Sequence, residues 1–159
     1  MKLLFVLSLL FHQFSFADTS KRNCEHTEDR FNCVQYLKNY DGDTVTVKIK
    51  NTHPLIGKSI SIRVNGIDTP ELRTKNTCEK EKARTARKLV KNLLSKANRI
   101  DLLNIKRGKY FRVVADVIYD GKKLKDALVK NGLAYEYYGK KKPSVDWCSK
   151  RIIASEETK

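Results

Sequence analysis

Between Thr44 and Ile49 every second residue is apolar, so that Val45, Val47 and Ile49 share one face while Thr44, Thr46 and Lys48 share the other. That period of two predicts a half-buried strand. Ser59 to Asn65 repeats the pattern with Ile60, Ile62 and Val64 inward, which puts Arg63 on the opposite face unless a bulge near Gly66 re-aims the strand end. Upstream, Val34 and Tyr36 alternate before the turn signal Asn39-Tyr40-Asp41-Gly42. Downstream, Ile100 to Ile105 and Phe111 to Tyr119 read as two further strands, separated by Lys106-Arg107-Gly108, the second ending at the hairpin signal Asp120-Gly121. Leu133 to Tyr138 adds a short last strand, and Asn51 to Lys58, with Pro54 and Gly57, is a loop.

The period changes to that of a helix over Glu79 to Ala97, where Ala83, Ala86, Leu89, Val90, Leu93, Leu94 and Ala97 form one apolar stripe. Arg84, Arg87, Lys88 and Lys91 lie on its outer face, which is read as a solvated surface. A short helix over Leu124 to Lys130 stops at Asn131-Gly132, and Pro143 and Ser144 open a terminal helix through Trp147, Ile152 and Ile153. Five strands, one long helix after the third and smaller helices after the fifth describe an α+β chain, a small barrel with helices packed on it.

At 159 residues the chain is one domain's worth. Its first seventeen residues carry Lys2, an apolar run from Leu3 to Phe11, and small residues at Ser15 and Ala17. They predict a signal peptide over 1–17, which leaves an N-terminal arm over 18–35 and one folded domain over 36–159. The apolar run is too short to span a bilayer, so no membrane attachment is expected once the leader is removed. Export, to the periplasm or fully outside the cell, makes the four cysteines disulfide candidates. Of three possible connectivities we favour Cys24 with Cys33, a short local loop, and Cys78 with Cys148, which ties the end of the chain to its middle. A zinc site from Cys24, His26 and Cys33 fits no standard spacing and lacks a fourth ligand.

Lysine and arginine outnumber aspartate and glutamate 33 to 18, a net charge of +15. The excess calls for a polyanionic partner, nucleic acid first and an anionic membrane or cell-wall polymer second. Against this basic background one stretch concentrates acid: Asp43, Asp68 and Glu71, with Arg63 between them in sequence. Each motif alone has an ordinary structural reading, DGDT as a turn and DTPE as a helix start.

Taken together with KYFRVVADVIYDGK and LKDALVKNGLAY, the stretches YDGDTVTV and IRVNGIDTPE make the chain resemble the thermonuclease family, the secreted calcium-dependent nucleases of staphylococcal nuclease type, from about Tyr36 to Tyr138. The resemblance implies an OB-fold barrel of five strands with three helices, cutting DNA and RNA with Ca2+; a monomer is expected, since nothing in the sequence requires a dimer. It matches Asp43, Asp68 and the carbonyl of Thr69 to the calcium ligands, Glu71 to the proposed general base, and Arg63 and Arg112 to the arginines on the scissile phosphate. Lys109, Tyr110 and Tyr138 match positions that contact a neighbouring phosphate. The chemistry independently suits these types: calcium takes oxygen ligands, and arginine presents a planar, permanently charged fork to phosphate. No histidine pair competes, since His12 leaves with the leader and His26 and His53 fall in the arm and a loop. The alternative is a non-catalytic nucleic-acid-binding barrel, which would have no need to keep Asp43, Arg63, Asp68, Glu71 and Arg112 together. Three features depart from the family: the cysteines, a short Leu72 to Cys78 segment, and Phe111 where many members carry glycine.

Overall fold

The computed structural model describes residues 24–139, 142–149 and 151–153, so the expected signal peptide lies outside the described residues. The alternating segments form strands β1 (Gln35–Asn39), β2 (Thr44–Lys48) and β3 (Ile60–Val64), joined antiparallel in that order. A two-residue strand β4 (Ile67–Asp68) follows, then the long helix, and then β5 (Ile100–Arg107) and β6 (Val113–Tyr119) as an antiparallel pair. β6 also lies parallel to β3, with Arg63 opposite Val114, so the sheet runs β1-β2-β3-β6-β5. A further two-residue strand, β7 (Lys122–Lys123), extends β6.

The arm, to which the sequence assigned no role, joins this sheet. Phe31 and Leu102 exchange backbone hydrogen bonds of 2.9 and 2.8 Å, and the Val34 N–H donates to the Ile100 carbonyl at 2.8 Å. The chain entering β1 thereby pairs with β5 at the far end of the sheet, satisfying backbone groups that an open edge would leave unpaired. Val45, Val47, Ile62, Val64, Leu102, Ala115 and Val117 fill the interior. The family resemblance to an OB-type α+β barrel holds.

Two helices pack on the barrel, and a third, one-turn helix lies in a loop. The one-turn helix α1 (Pro54–Gly57) stands in the predicted loop, with His53 as its N-cap and Pro54 at a position where a missing N–H costs nothing. Helix α2 (Thr77–Lys96) buries Ala83, Ala86, Val90 and Leu94, as its stripe predicts, and starts two residues before the expected Glu79. The earlier start comes from Asn76, whose side chain caps the helix by accepting the Glu79 N–H at 3.2 Å. Helix α3 (Leu124–Lys130) has its expected bounds and ends through Gly132, whose φ of +63° lets the Leu133 N–H return to the Leu128 carbonyl at 3.0 Å. Strand β8 (Tyr135–Glu136) then pairs antiparallel with β4, setting Asp68 opposite Tyr135.

Two expectations fail. The terminal helix is absent: Ser144–Asp146 (β9) and Arg151–Ile153 (β10) form an antiparallel hairpin. Asp146 accepts the N–H groups of Cys148 and Ser149 at 2.9 and 3.3 Å, a turn that competes with helical bonding, and Cys148 is held by its disulfide. The strand expected from Phe111 instead begins at Val113, because Tyr110 and Phe111 have φ of +57° and +59°, incompatible with extended backbone. Both favoured disulfides are present, Cys24–Cys33 and Cys78–Cys148, with Cα atoms 5.3 and 5.8 Å apart. His26 is occupied by the Lys50 carbonyl and the Asn32 N–H, which disposes of the zinc reading. Among the described residues no helix is long and apolar enough to cross a membrane.

The turn before β2 is held by one carboxylate. Asp41 Oδ1 accepts the N–H groups of Asp43 and Thr44 at 3.0 and 2.7 Å, while burial raises the Asp41 pKa and the Thr44 bonds only partly oppose that rise. A raised folded-state pKa means that ionised Asp41 opposes folding, an effect absent below the unfolded value near 3.8 and growing as pH rises through the folded one. Asp41→Asn keeps the accepting oxygen and removes the charge. In urea unfolding with chelator, the variant should gain stability relative to the wild type from pH 3 to pH 7; a difference that does not change with pH would contradict this.

Candidate functional site

The β2–β3 register sets Thr44 opposite Arg63, and the Val64 N–H donates to the Asp43 carbonyl at 2.8 Å, so Asp43 lies alongside the end of β3. The turn at Asn65-Gly66 reverses the chain into β4, bringing Asp68 back beside Arg63. The Arg63 guanidinium is thereby clasped between two buried carboxylates: Nη1 pairs with Asp43, and Nη2 with Asp68 Oδ1 at 2.8 Å and with the Ile67 carbonyl at 3.0 Å. Asp43 and Asp68 are 2% and 5% exposed. Thr69 completes the group, its N–H and hydroxyl donating to Asp43 Oδ2 at 3.1 and 2.9 Å. Gly42 permits this approach, since a Cβ there would lie 2.9 Å from both Ala86 Cβ and Thr69 Cγ2.

Two residues that sequence reasoning did not select complete the surroundings of Asp68. The Tyr135 hydroxyl donates to Oδ2 at 2.8 Å, and Lys142 Nζ lies 2.7 Å from the same oxygen and 3.4 Å from Glu71 Oε1. Lys142 was visible only as the last of three lysines, a run that reads as a solvated tail, and Tyr135 as one of several aromatics after α3. Burial pushes the Asp68 pKa up, but the hydrogen bonds from Lys142 and Tyr135, the Lys142 charge and Arg63 together outweigh it, and the carboxyl sits below its ordinary range. Burial, then the bond to Asp68, raises the Tyr135 hydroxyl far above a free phenol, so it remains a donor.

Glu71 stands at the edge of this group. Its carboxyl is exposed and reaches Asp68 through Lys142, while its backbone N–H donates to Glu79 Oε1 at 3.0 Å. Arg63 also lines a groove of about 420 Å3 together with Lys109, Arg112 and Tyr138. The parallel β3–β6 pairing makes this possible, since it sets Ile62 beside Val113, the residue after Arg112. Tyr110 does not line the groove and projects into solvent. A larger cavity, about 740 Å3, includes Tyr135 but none of the residues predicted for the site.

Asp43, Asp68 and the Thr69 backbone are hard oxygen donors of the kind calcium takes; Asp43 accepts from Arg63, Thr44 and Thr69, and Asp68 from Arg63, Tyr135 and Lys142, so a bound cation would take the place of some of these donors. Among the described residues, no three or more of His, Cys, Asp and Glu gather as a metal group, so the acidic contribution is this pair. With Glu71 counted, three carboxylates face the cations Arg63 and Lys142, leaving one net negative charge.

A closed small barrel whose two buried aspartates share one arginine, next to a basic groove, defines the class of this molecule. The chain belongs to the family described as staphylococcal nuclease homologue, whose sequence pattern matches residues 61–157. That match includes Arg63, Asp68, Glu71 and Arg112 and begins after Asp43. The chain is also similar to endonuclease YncB of Bacillus subtilis (strain 168), 36% identical over 101 residues, covering 62% of this chain and 44% of that protein. It is similar to the SPbeta prophage-derived endonuclease YokF of the same organism, 34% identical over 101 residues, covering 62% of this chain and 32% of that one. The chain thus spans less than half the length of these curated relatives.

The Tyr135 hydroxyl is a buried donor to a charged acceptor, a bond of the kind worth ~1.5–3 kcal/mol. Tyr135→Phe should lower the unfolding free energy at neutral pH by about that amount, measured by urea unfolding with chelator. A loss below about 0.5 kcal/mol would show that Asp68 is held without it.

Proposed function

We propose that this chain is an exported calcium-dependent endonuclease that hydrolyses phosphodiester bonds of DNA and RNA. One observation carries the reading: Arg63 contacts a buried aspartate pair on one side and lines the same groove as Arg112 on the other. Cation ligands and phosphate donors are thus adjacent. Family membership and the endonuclease names of both relatives support the reaction class.

In this reading Asp43, Asp68 and the Thr69 carbonyl hold calcium. Bound calcium would polarise a phosphate oxygen and help position water. The five donors of a guanidinium exceed the three acceptors that Arg63 meets, so it retains capacity for a phosphoryl oxygen while it orients both aspartates. Arg112, exposed and in no ion pair among the described residues, donates to another oxygen and stabilises charge that builds as phosphorus gains a fifth bond. Glu71, with its exposed carboxylate, takes the proton from attacking water. Lys109 and Tyr138 hold a neighbouring phosphate, while Tyr110, outside the groove, takes no part in this reading. The apolar leader and both disulfides support export.

Digestion of plasmid DNA and of RNA, with calcium and with chelator, tests this directly. The wild type should cut both substrates only with calcium. Glu71→Gln, Arg63→Lys and Arg112→Lys should each lose about 10²–10³ in kcat, the second two because an ammonium cannot reproduce the paired donors. Wild-type activity in all three would defeat the assignment, and binding without cleavage under any divalent ion would favour the non-catalytic barrel.

A further inference from the structure

The donors on the two buried aspartates differ in how firmly each is held. Arg63 reaches Asp43, Asp68 Oδ1 and the Ile67 carbonyl at once, and its side chain is 18% exposed. Thr69 gives a backbone N–H and a hydroxyl from a buried residue, and the Tyr135 hydroxyl comes from a buried ring packed against Trp147. Lys142 is unlike them. Its side chain is 49% exposed, it stands between β8 and β9 outside every strand, and its flexible stem ends in a compact ammonium that water solvates strongly. Releasing this group costs little, because an exposed ion pair gains little over two hydrated charges.

What Lys142 touches gives its release a consequence. Nζ lies 2.7 Å from Asp68 Oδ2 and 3.4 Å from Glu71 Oε1, so one ammonium bridges the carboxylate assigned to the cation and the carboxylate assigned to the attacking water. A divalent cation and an ammonium on the same carboxylate repel each other. The hairpin of β9 and β10 keeps the ammonium close all the same: Cys148 is bonded to Cys78 in the first turn of α2, and Trp147 packs against Tyr135 with ring centroids 5.8 Å apart. A tethered group competes at high effective concentration, however weak its contact taken alone.

We propose that Lys142 is a tethered counter-ion of the cation site: it bridges Asp68 and Glu71 in the metal-free protein, leaves both when a divalent cation binds, and so ties cation loading to the release of Glu71. The inference rests on Asp43 and Asp68 forming a calcium site, as argued above. Because the molecules that bind must first give up the Lys142 contact, apparent calcium affinity falls by the fraction in which that contact is broken. Glu71 then stays paired until the cation is in place, which keeps the proposed base out of use in an unloaded site.

The test is calorimetric titration of calcium into wild type, Lys142→Met, Lys142→Arg and the double variant Cys78→Ser/Cys148→Ser, each shown to be folded by its melting transition in chelator. Methionine keeps the stem and removes the charge, so Lys142→Met should bind calcium about tenfold more tightly than wild type, while Lys142→Arg should stay close to wild type. Cutting the tether in the double variant should also tighten binding, and Lys142→Met added to it should give no more than Lys142→Met alone. A merely structural role would weaken calcium binding in these variants or leave it unchanged. In the wild type, acylation of Lys142 by an amine-reactive ester, read from peptide masses, should run faster in calcium than in chelator. Equal calcium affinity in wild type and Lys142→Met, or equal acylation rates in calcium and chelator, would overturn this inference alone; no calcium binding by either protein would end the cation-site reading and this one with it.

Discussion

The structure turns on one guanidinium. Arg63 is 18% exposed, pairs with two aspartates that are almost fully buried, and caps the Ile67 carbonyl with the same nitrogen that meets Asp68. Two like charges could not be held side by side out of water without a cation between them. Removing one member of such a buried group costs ~3–5 kcal/mol, because the remainder is left uncompensated. The triad therefore fixes the end of β3, the turn at Asn65-Gly66 and the strand β4 relative to β2, and any cation site built from Asp43 and Asp68 inherits that rigidity.

The barrel supplies the second half of the site by register. β2 and β3 are antiparallel neighbours, so Asp43, just before β2, and Arg63, near the end of β3, meet locally. Arg112 arrives only because β6 crosses back to lie parallel to β3, after the whole of α2 and β5. The end of the chain arrives by a different route. The Cys78–Cys148 disulfide anchors the hairpin of β9 and β10 to the first turn of α2, Trp147 packs against Tyr135 with ring centroids 5.8 Å apart, and Lys142 reaches Asp68. A covalent staple thus helps to hold the tyrosine and lysine that bond to the carboxylates.

Much of this was legible in the residues, because alternation and stripe report burial directly. Val45, Val47, Ile62 and Val64 declare an inner face, and Ala86, Val90 and Leu94 the buried side of a helix. The acidic stretch was legible too, since Asp43 just before β2, Arg63 in β3 and Asp68 in β4 fall on segments adjacent in sequence. What failed has a common physical cause. Phe111 reads as strand because propensity says nothing about a left-handed turn enforced by its flanking hydrogen bonds, and the segment from Ser144 to Ile153, which reads as helix from a weak apolar period, forms a hairpin because an Asx turn and a disulfide override that period. Tyr135 and Lys142 acquire their meaning only from partners 67 and 74 residues away, contacts that no local pattern encodes.

The central claim is that the Asp43–Asp68 pair around Arg63 is a cation site rather than a structural ion cluster. Calorimetric titration of calcium into the apo protein tests it most directly. The account predicts one site per chain, with affinity reduced at least tenfold in Asp43→Asn and in Asp68→Asn variants shown to be folded. Absence of calcium binding by the wild type, or binding unaltered in both variants, would contradict it.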